Sequence, residues 1–434
     1  MIKSAAKQKT HEGVRKTLAK KSPLLCAAIS FFLLLTGCGS KAIDGAEQFA
    51  VEVDQIDIPD DVKIIGLGEA THGNIEFQEL KKDVFDALMK NENVRVFVLE
   101  GDFGGGQQIN QFILHGTSSA EETVNALDYD IYRTKQMIEL VQWMHDFNLK
   151  ADEKDKIFFY GSDMQRYDAN KEGLLTFYKV VNGNAEKEYA AQLEHASNHA
   201  MYQLTVEQLK KLDHTIDNII LDLRSNKAEY EGRTTADAYA FALQYATIMK
   251  QRTQLLLNNE EYAKLRDQYL ADNLRWISEF EETHGRDKVF ISAHNGHIEK
   301  TSASVGGKSM GDYLDEGFGS EYFAIGTDFV KSEFQALNRS SDERKKFSLE
   351  NHNDLVDAFS KIERNIFYVD FQKAGRHEAL SNIINKEQRM ANIGDDFRSW
   401  YKLSRNFYTI KMVPGKAYDG IIIVKEAEAT TVIE

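Results

Sequence analysis

Five short apolar runs in this sequence end on groups that can gain or lose a proton. "VKIIGLGEA" leads to Glu69 and His72, "VRVFVLEGD" to Glu100 and Asp102, "KIFFYGSDM" to Asp163, "KVFISAHNGH" to His294 and His297, and "YFAIGTDF" to Asp328. A histidine changes charge near neutral pH, so beside a carboxylate it can take a proton from water in a transition state. The same imidazoles and carboxylates are also ordinary ligands for zinc or manganese. One strand that ends in a charged residue on reaching water is common. Five in register point to an active site, because ligands of parallel sheets bind where loops converge at the carboxyl ends of the strands.

The elements that must hold these groups follow from the pattern around them. Each run is almost continuously apolar over four or five residues, as a strand buried on both faces requires, and "NIFYVDF" and "GIIIVKE" add two more. Long helical patterns such as "IEFQELKKDVFDALMKN" lie between them. This alternation predicts an α/β fold with a largely parallel central sheet flanked by helices. Residues 170–283 contain few glycines and no proline and read as a large helical insertion, whose His195, His199 and His214 are expected to be surface or packing residues. No later linker is visible, so residues 61–434 read as one domain.

The amino-terminal segment differs in kind. Seven Lys/Arg against one acid precede "PLLCAAISFFLLLTGCGS", a basic and then apolar stretch too short to span a bilayer comfortably. Residues 1–37 are expected to be a signal peptide, because "LTGC" resembles a lipoprotein cleavage motif; that likeness implies a lipid on Cys38 and a polar tether over 38–60. The expected location is the outer side of the cytoplasmic membrane or elsewhere in the envelope, anchored through Cys38. Cys26 falls in the removed part, so neither a disulfide nor a free thiol nucleophile is expected. The whole chain carries −15; the leader contributes +6, from seven basic residues and one acid, which leaves −21 for the remainder. Such an acidic body disfavours nucleic acid as a partner.

The segments "GEATHGNIEF", "VFVLEGD", "LVQWMHDFN", "FYGSDMQ", "LRDQYLADNLRWI", "SAHNGHI" and "AYDGIIIVKEAEA" together resemble the erythromycin esterase family, in the family's order and over nearly the whole chain after residue 60. The resemblance implies hydrolysis of an ester or lactone, a small-molecule substrate, by water. It implies His72 as the general base, with Glu69 and Glu100 completing the polar site and His294 and His297 facing them. Arg266 matches a recurrent family arginine. Two positions depart from the pattern: Lys81 and His145 stand where relatives often have arginine, and lysine lacks the planar fork that binds carboxylates in pairs.

The residue chemistry agrees with that role. A carboxylate on the second ring nitrogen of His72 would orient it and stabilise the imidazolium, a task for Glu69 or Glu100. Donors for the oxyanion would come from His294, His297, Asn295 or backbone N–H groups, with Lys81, Arg266, Asn295 and Asp163 as substrate contacts. No serine stands in a GxSxG setting, so direct attack by water is expected, with no cofactor and no metal. Metal-assisted hydrolysis and a binding lipoprotein without turnover are the alternatives.

Overall fold

The apolar runs become the strands of one sheet. The computed structural model describes residues 42–304 and 306–433, so the expected signal segment and the lipid site at Cys38 lie outside the described residues. The strands are β1 (Ala50–Val51), β2 (Ile64–Glu69), β3 (Val96–Asp102), β4 (Phe158–Asp163), β5 (Val289–His294), β6 (Tyr322–Asn338), β7 (Glu343–Glu350), β8 (Ile366–Asp370), β9 (Gln388–Ala391), β10 (Thr409–Met412) and β11 (Gly420–Ala427). Among the described residues the large sheet runs in the order β1-β8-β11-β6-β2-β5-β3-β4, with β7 paired to β6; β9 and β10 form a separate pair. Neighbours from β11 through β4 are parallel, whereas β1, β7 and β8 pair antiparallel.

Both faces of the parallel strands are covered, which explains their unbroken apolar character. Ile65, Leu67, Phe97 and Leu99 enter one core, and Ile64, Val96, Val98 and Ile291 enter the other. Helices Ile75–Asn91 and Lys135–Asn148 line the first face. Helix Tyr262–Glu282 lines the second. Between β4 and β5 run helices that build a core of their own from residues such as Tyr167, Leu174, Ile216, Ile219 and Met249.

Two expectations are corrected. The stretch 42–60 does not hang free as a tether: the Ile43 N–H donates to the Ala358 carbonyl at 3.0 Å, β1 pairs with β8, and Ile56 and Ile58 are buried. Three-residue spacings of apolar groups inside a polar run hid this. Asp328 is not a strand end either, because β6 continues ten residues past it into a hairpin with β7.

Close approach of backbones sets β3 and β4 against helix Phe103–His115. A Cβ on Gly106 would lie 2.2 Å from the Gly161 backbone nitrogen, and one on Gly161 would lie 2.1 Å from the Asp102 carbonyl oxygen. Backbone cannot give way as a side chain can. Gly106→Ala should therefore destabilise the protein by about 3 kcal/mol, within the usual range for overpacking, as read from urea unfolding. Gly183→Ala, with nothing within 4 Å of the added carbon, is the control and should stay within about 0.5 kcal/mol of the parent.

Candidate active site

Sheet order decides which polar strand ends meet. β5 lies between β2 and β3, so Glu69 becomes the register partner of His294, and the Glu100 carboxylate accepts the His294 backbone N–H at 2.8 Å. The loop after β2 is pinned along its length. The Ala70 N–H donates to Thr327 Oγ1 at 2.8 Å, the Ile393 N–H donates to the Ala70 carbonyl at 2.8 Å, and Gln78 Nε2 donates to the His72 carbonyl at 2.9 Å. The glycines here serve close packing, since none of Gly66, Gly68 and Gly73 has positive φ. A Cβ on Gly73 would lie 2.0 Å from the Gln335 carbonyl oxygen.

His72 sits over a buried ion pair. Glu69 is 1% exposed and Lys81 is fully buried, with Lys81 Nζ 2.7 Å from Glu69 Oε1 and 3.0 Å from Gln78 Oε1. The other carboxylate oxygen of Glu69 lies 3.4 Å from His72 Nδ1, an ion contact whose alignment falls short of a full hydrogen bond. Burial works against the Glu69 charge, but Lys81 and His72 outweigh it and hold the carboxyl down at about 2. Burial likewise disfavours a charged His72, yet Glu69 and Glu100 more than offset it, so its pKa is raised. Lys81 is lowered by burial in spite of Glu69. Its helix position buries it beneath His72 and pairs it with Glu69, so the expected substrate contact at Lys81 is corrected to a buried ion-pair partner.

A second cluster faces it. Arg266 Nη2 donates to Glu100 Oε1 and to Asp163 Oδ2, each at 2.7 Å. His297 Nδ1 meets Asp267 Oδ1 at 2.7 Å, and its Nε2 lies 3.3 Å from Glu100 Oε1. Burial alone would keep this ring neutral, but Asp267 and Glu100 hold it protonated, with its pKa pushed up to about 10. Arg266 Nη1 lies 3.1 Å from the same Nε2, where its N–H is accepted by a neutral ring and repelled by a protonated one, a repulsion that three surrounding carboxylates offset. Glu100, for its part, is buried against its charge but held well below its usual value by His297 and Arg266. Asp163 is fully buried, accepts from Tyr129 and Arg266, and so anchors the guanidinium instead of touching substrate as expected.

The remaining expected residues divide. The His294 ring centre lies 5.0 Å from that of His72 with the planes tilted by 42°, but its Nε2 donates to the Ile393 carbonyl at 3.1 Å and its Nδ1 accepts from the Gly296 N–H at 3.3 Å. Burial and His72 push its pKa down to about 3, so it is neutral and has no donor left for an oxyanion. Asn295 is also spent: its amide donates to the Thr327 and Ala391 carbonyls and accepts the Thr327 N–H, which corrects the expectation that it binds substrate. Asp102 caps helix Phe103–His115 through the Gly105 N–H, and Asp328 is held by Asn351 and Asn353. His145 packs on Phe112 at 4.6 Å, away from the cluster.

Three contributors were not singled out from sequence. Asp267 follows Arg266 directly and orients His297, so the adjacent pair "RD" was the available signal. Tyr132, fully buried, donates to the Glu100 carbonyl at 3.0 Å and lies beside the His72 ring at 6.5 Å. Thr327 fixes both Ala70 and Asn295. Nothing in a lone buried Tyr or Thr marks it in advance.

The arrangement has two layers. Glu69, Lys81, Asp163 and Asp267 are sealed, while His72, Glu100, Arg266, His294 and His297 each keep a small accessible area. Among the described residues no group of three His, Cys, Asp or Glu side chains is placed to hold a metal ion. The accessible layer offers one base and two cations, the equipment for adding water to a polarised carbonyl.

A sequence profile described as Erythromycin esterase matches residues 89–427. That stretch holds Glu100, Asp163, Arg266, His294 and His297; Glu69, His72 and Lys81 precede it. An Escherichia coli protein named erythromycin esterase type II is 26% identical over 407 residues, which cover 86% of this chain and 91% of the relative. A Bacillus cereus protein of known structure superposes with a TM-score of 0.75 at 22% identity, over 86% of this chain and 91% of the other. An erythromycin esterase variant in its open conformation gives 0.58 at 14% identity, over 86% and 93%. At those identities the two structures speak for the fold.

Removing the buried cation tests what holds Glu69 beneath His72. Lys81→Met strands Glu69 in the core, and breaking one side of such a pair costs about 3–5 kcal/mol. Urea unfolding should show a loss of that order, whereas Lys90→Met, at the exposed end of the same helix, should change little.

Proposed function

The chain belongs to the erythromycin esterase family, and we propose that it hydrolyses a carboxylic ester or lactone, with His72 as the general base toward water. One observation carries this reading. His72 turns Nδ1 toward a charge-paired carboxylate at 3.4 Å, an ion contact short of a full hydrogen bond, and none of the described residues hydrogen-bonds its Nε2. That is the posture of a ring oriented by one nitrogen to act with the other.

In this reading Nε2 removes a proton from water as the oxygen attacks the carbonyl carbon. Glu69 stabilises the imidazolium, and Lys81 keeps Glu69 ionised. Arg266 and His297, both cationic, polarise the carbonyl and take up the charge of the tetrahedral oxygen. The protonated His72 then returns its proton to the leaving alkoxide. No acyl-enzyme is invoked: Ser292, the hydroxyl beside Glu69 at 3.5 Å, is fully buried.

The substrate class rests on the family: the E. coli relative is named for erythromycin. The two departures at Lys81 and His145 do not argue against a macrolide ring, because neither side chain borders the accessible layer. Export with a lipid at Cys38 is part of the proposal and would suit hydrolysis of an antibiotic or of an acylated envelope polymer outside the cell.

His72→Ala should lower kcat/KM for ester or lactone cleavage by about 10²–10⁴-fold, the usual worth of a positioned base, in a panel of macrolides, simple lactones and acyl esters followed by acid release. Retention of full activity would sink the assignment. Because the base must be neutral and its pKa is raised above 6.5, kcat/KM should climb with pH through a limb above 6.5 and fall as His297 loses its proton near 10. Chelators should leave the rate unchanged; a loss restored by added zinc or manganese would favour metal-assisted hydrolysis instead.

A further inference from the structure

A large cleft among the described residues lies apart from the candidate active site. It has a volume of about 1270 Å³ and lies between helix Phe103–His115, the outer strand β4 and the helices of the insertion. None of His72, Glu69, Glu100, His294 or His297 lines it. Small-molecule sites are concave, mostly apolar and furnished with a few polar groups. This cleft has that make-up.

Its wall is aromatic. Phe241 and Phe280 meet edge to face at 5.2 Å, Tyr245 lies 6.2 Å from Phe241, and Phe177 and Tyr160 close the floor. Its charge leans negative: Glu122, Glu153, Glu172, Asp237 and Glu281 line it with Lys154, His284 and Arg286, although Glu153 is paired with Lys156 and Asp237 with His284. Arg286 is already committed to Glu281 and to the face of Phe158, at 3.9 Å. Glu172 makes no ion pair with the described residues and stands exposed at the rim. Within the cleft Gln107 is 8% exposed, and its amide nitrogen has no hydrogen-bond partner among the described residues. A buried amide donor left without a partner costs free energy.

We propose that this cleft is a second ligand site, for an apolar organic cation that carries a hydrogen-bond acceptor. The acceptor meets Gln107, the apolar body lies on Phe241 and Phe280, and the cationic group faces the unpaired Glu172 carboxylate at the rim. Aromatic faces and carboxylates both favour a poorly hydrated ammonium group. The site gives the helical insertion a task that hydrolysis does not use. It also sits on the strand that ends at the active site: Tyr160 floors the cleft, and Asp163, about 10 Å further along β4 by the strand rise, anchors Arg266.

The test uses the folded chain and (4-acetamidobenzyl)trimethylammonium, with 4-acetamidobenzenesulfonate as the anionic counterpart, in titrations followed by calorimetry and by the fluorescence of Trp276, which packs on Phe241 and Phe280. The cation should bind saturably and at least tenfold tighter than the sulfonate. Glu172→Gln, a surface change, should weaken the cation several-fold and the sulfonate not at all, and Gln107→Met should weaken both. His72→Ala should leave binding intact. Absence of saturable binding, equal affinity for the two charges, indifference to Glu172→Gln, or loss of binding in His72→Ala would each overturn the proposal.

Discussion

A buried lysine against a buried carboxylate organises this candidate active site. Taking Lys81 and Glu69 out of water costs several kcal/mol per ion, and their 2.7 Å contact recovers enough to hold Glu69 charged beneath a histidine. A hydrophobic pair in their place would fill the same space with less electrostatic cost. What it would not supply is a fixed negative charge at Nδ1 of His72. On this account the pair is kept for the chemistry it permits at the other ring nitrogen.

The sheet makes that arrangement possible. With β5 inserted between β2 and β3, the Glu69 strand end faces the His294 strand end, and Glu100 reaches across to the same backbone. The two clusters then divide the work by charge. Lys81, Glu69 and His72 form one unit around the Glu69 carboxylate; Arg266, His297, Glu100, Asp163 and Asp267 form another, in which three carboxylates stabilise two cations. His294 separates them as a neutral ring, its tautomer set by the Ile393 carbonyl and the Gly296 N–H.

Much of this was legible from strand ends. A strand buried on both faces must be apolar throughout, so its polar terminus stands out, and Glu69, His72, Glu100, Asp163, His294 and His297 all come to one edge. Roles were harder to read than places. Lys81, Asn295 and Asp163 were expected to touch substrate because their side chains can; the structure spends all three on neighbours, since side-chain direction depends on helix phase and strand order that spacing does not encode. Asp267 was passed over beside the more conspicuous Arg266. The docked stretch 42–60 was read as a tether because its few apolar residues are diluted by charge, and the antiparallel β7, with an alternating and mostly exposed pattern, carried no buried run to find.

The central claim is that Glu69, held ionised by Lys81, sets both the orientation and the proton affinity of His72. The most direct measurement is a nitrogen-15 NMR titration of the His72 ring in the intact protein. The account predicts that the neutral ring carries its proton on Nδ1, facing Glu69, and that it titrates above the ordinary value of 6.5. A neutral ring protonated on Nε2, or a midpoint below 6.5, would contradict it.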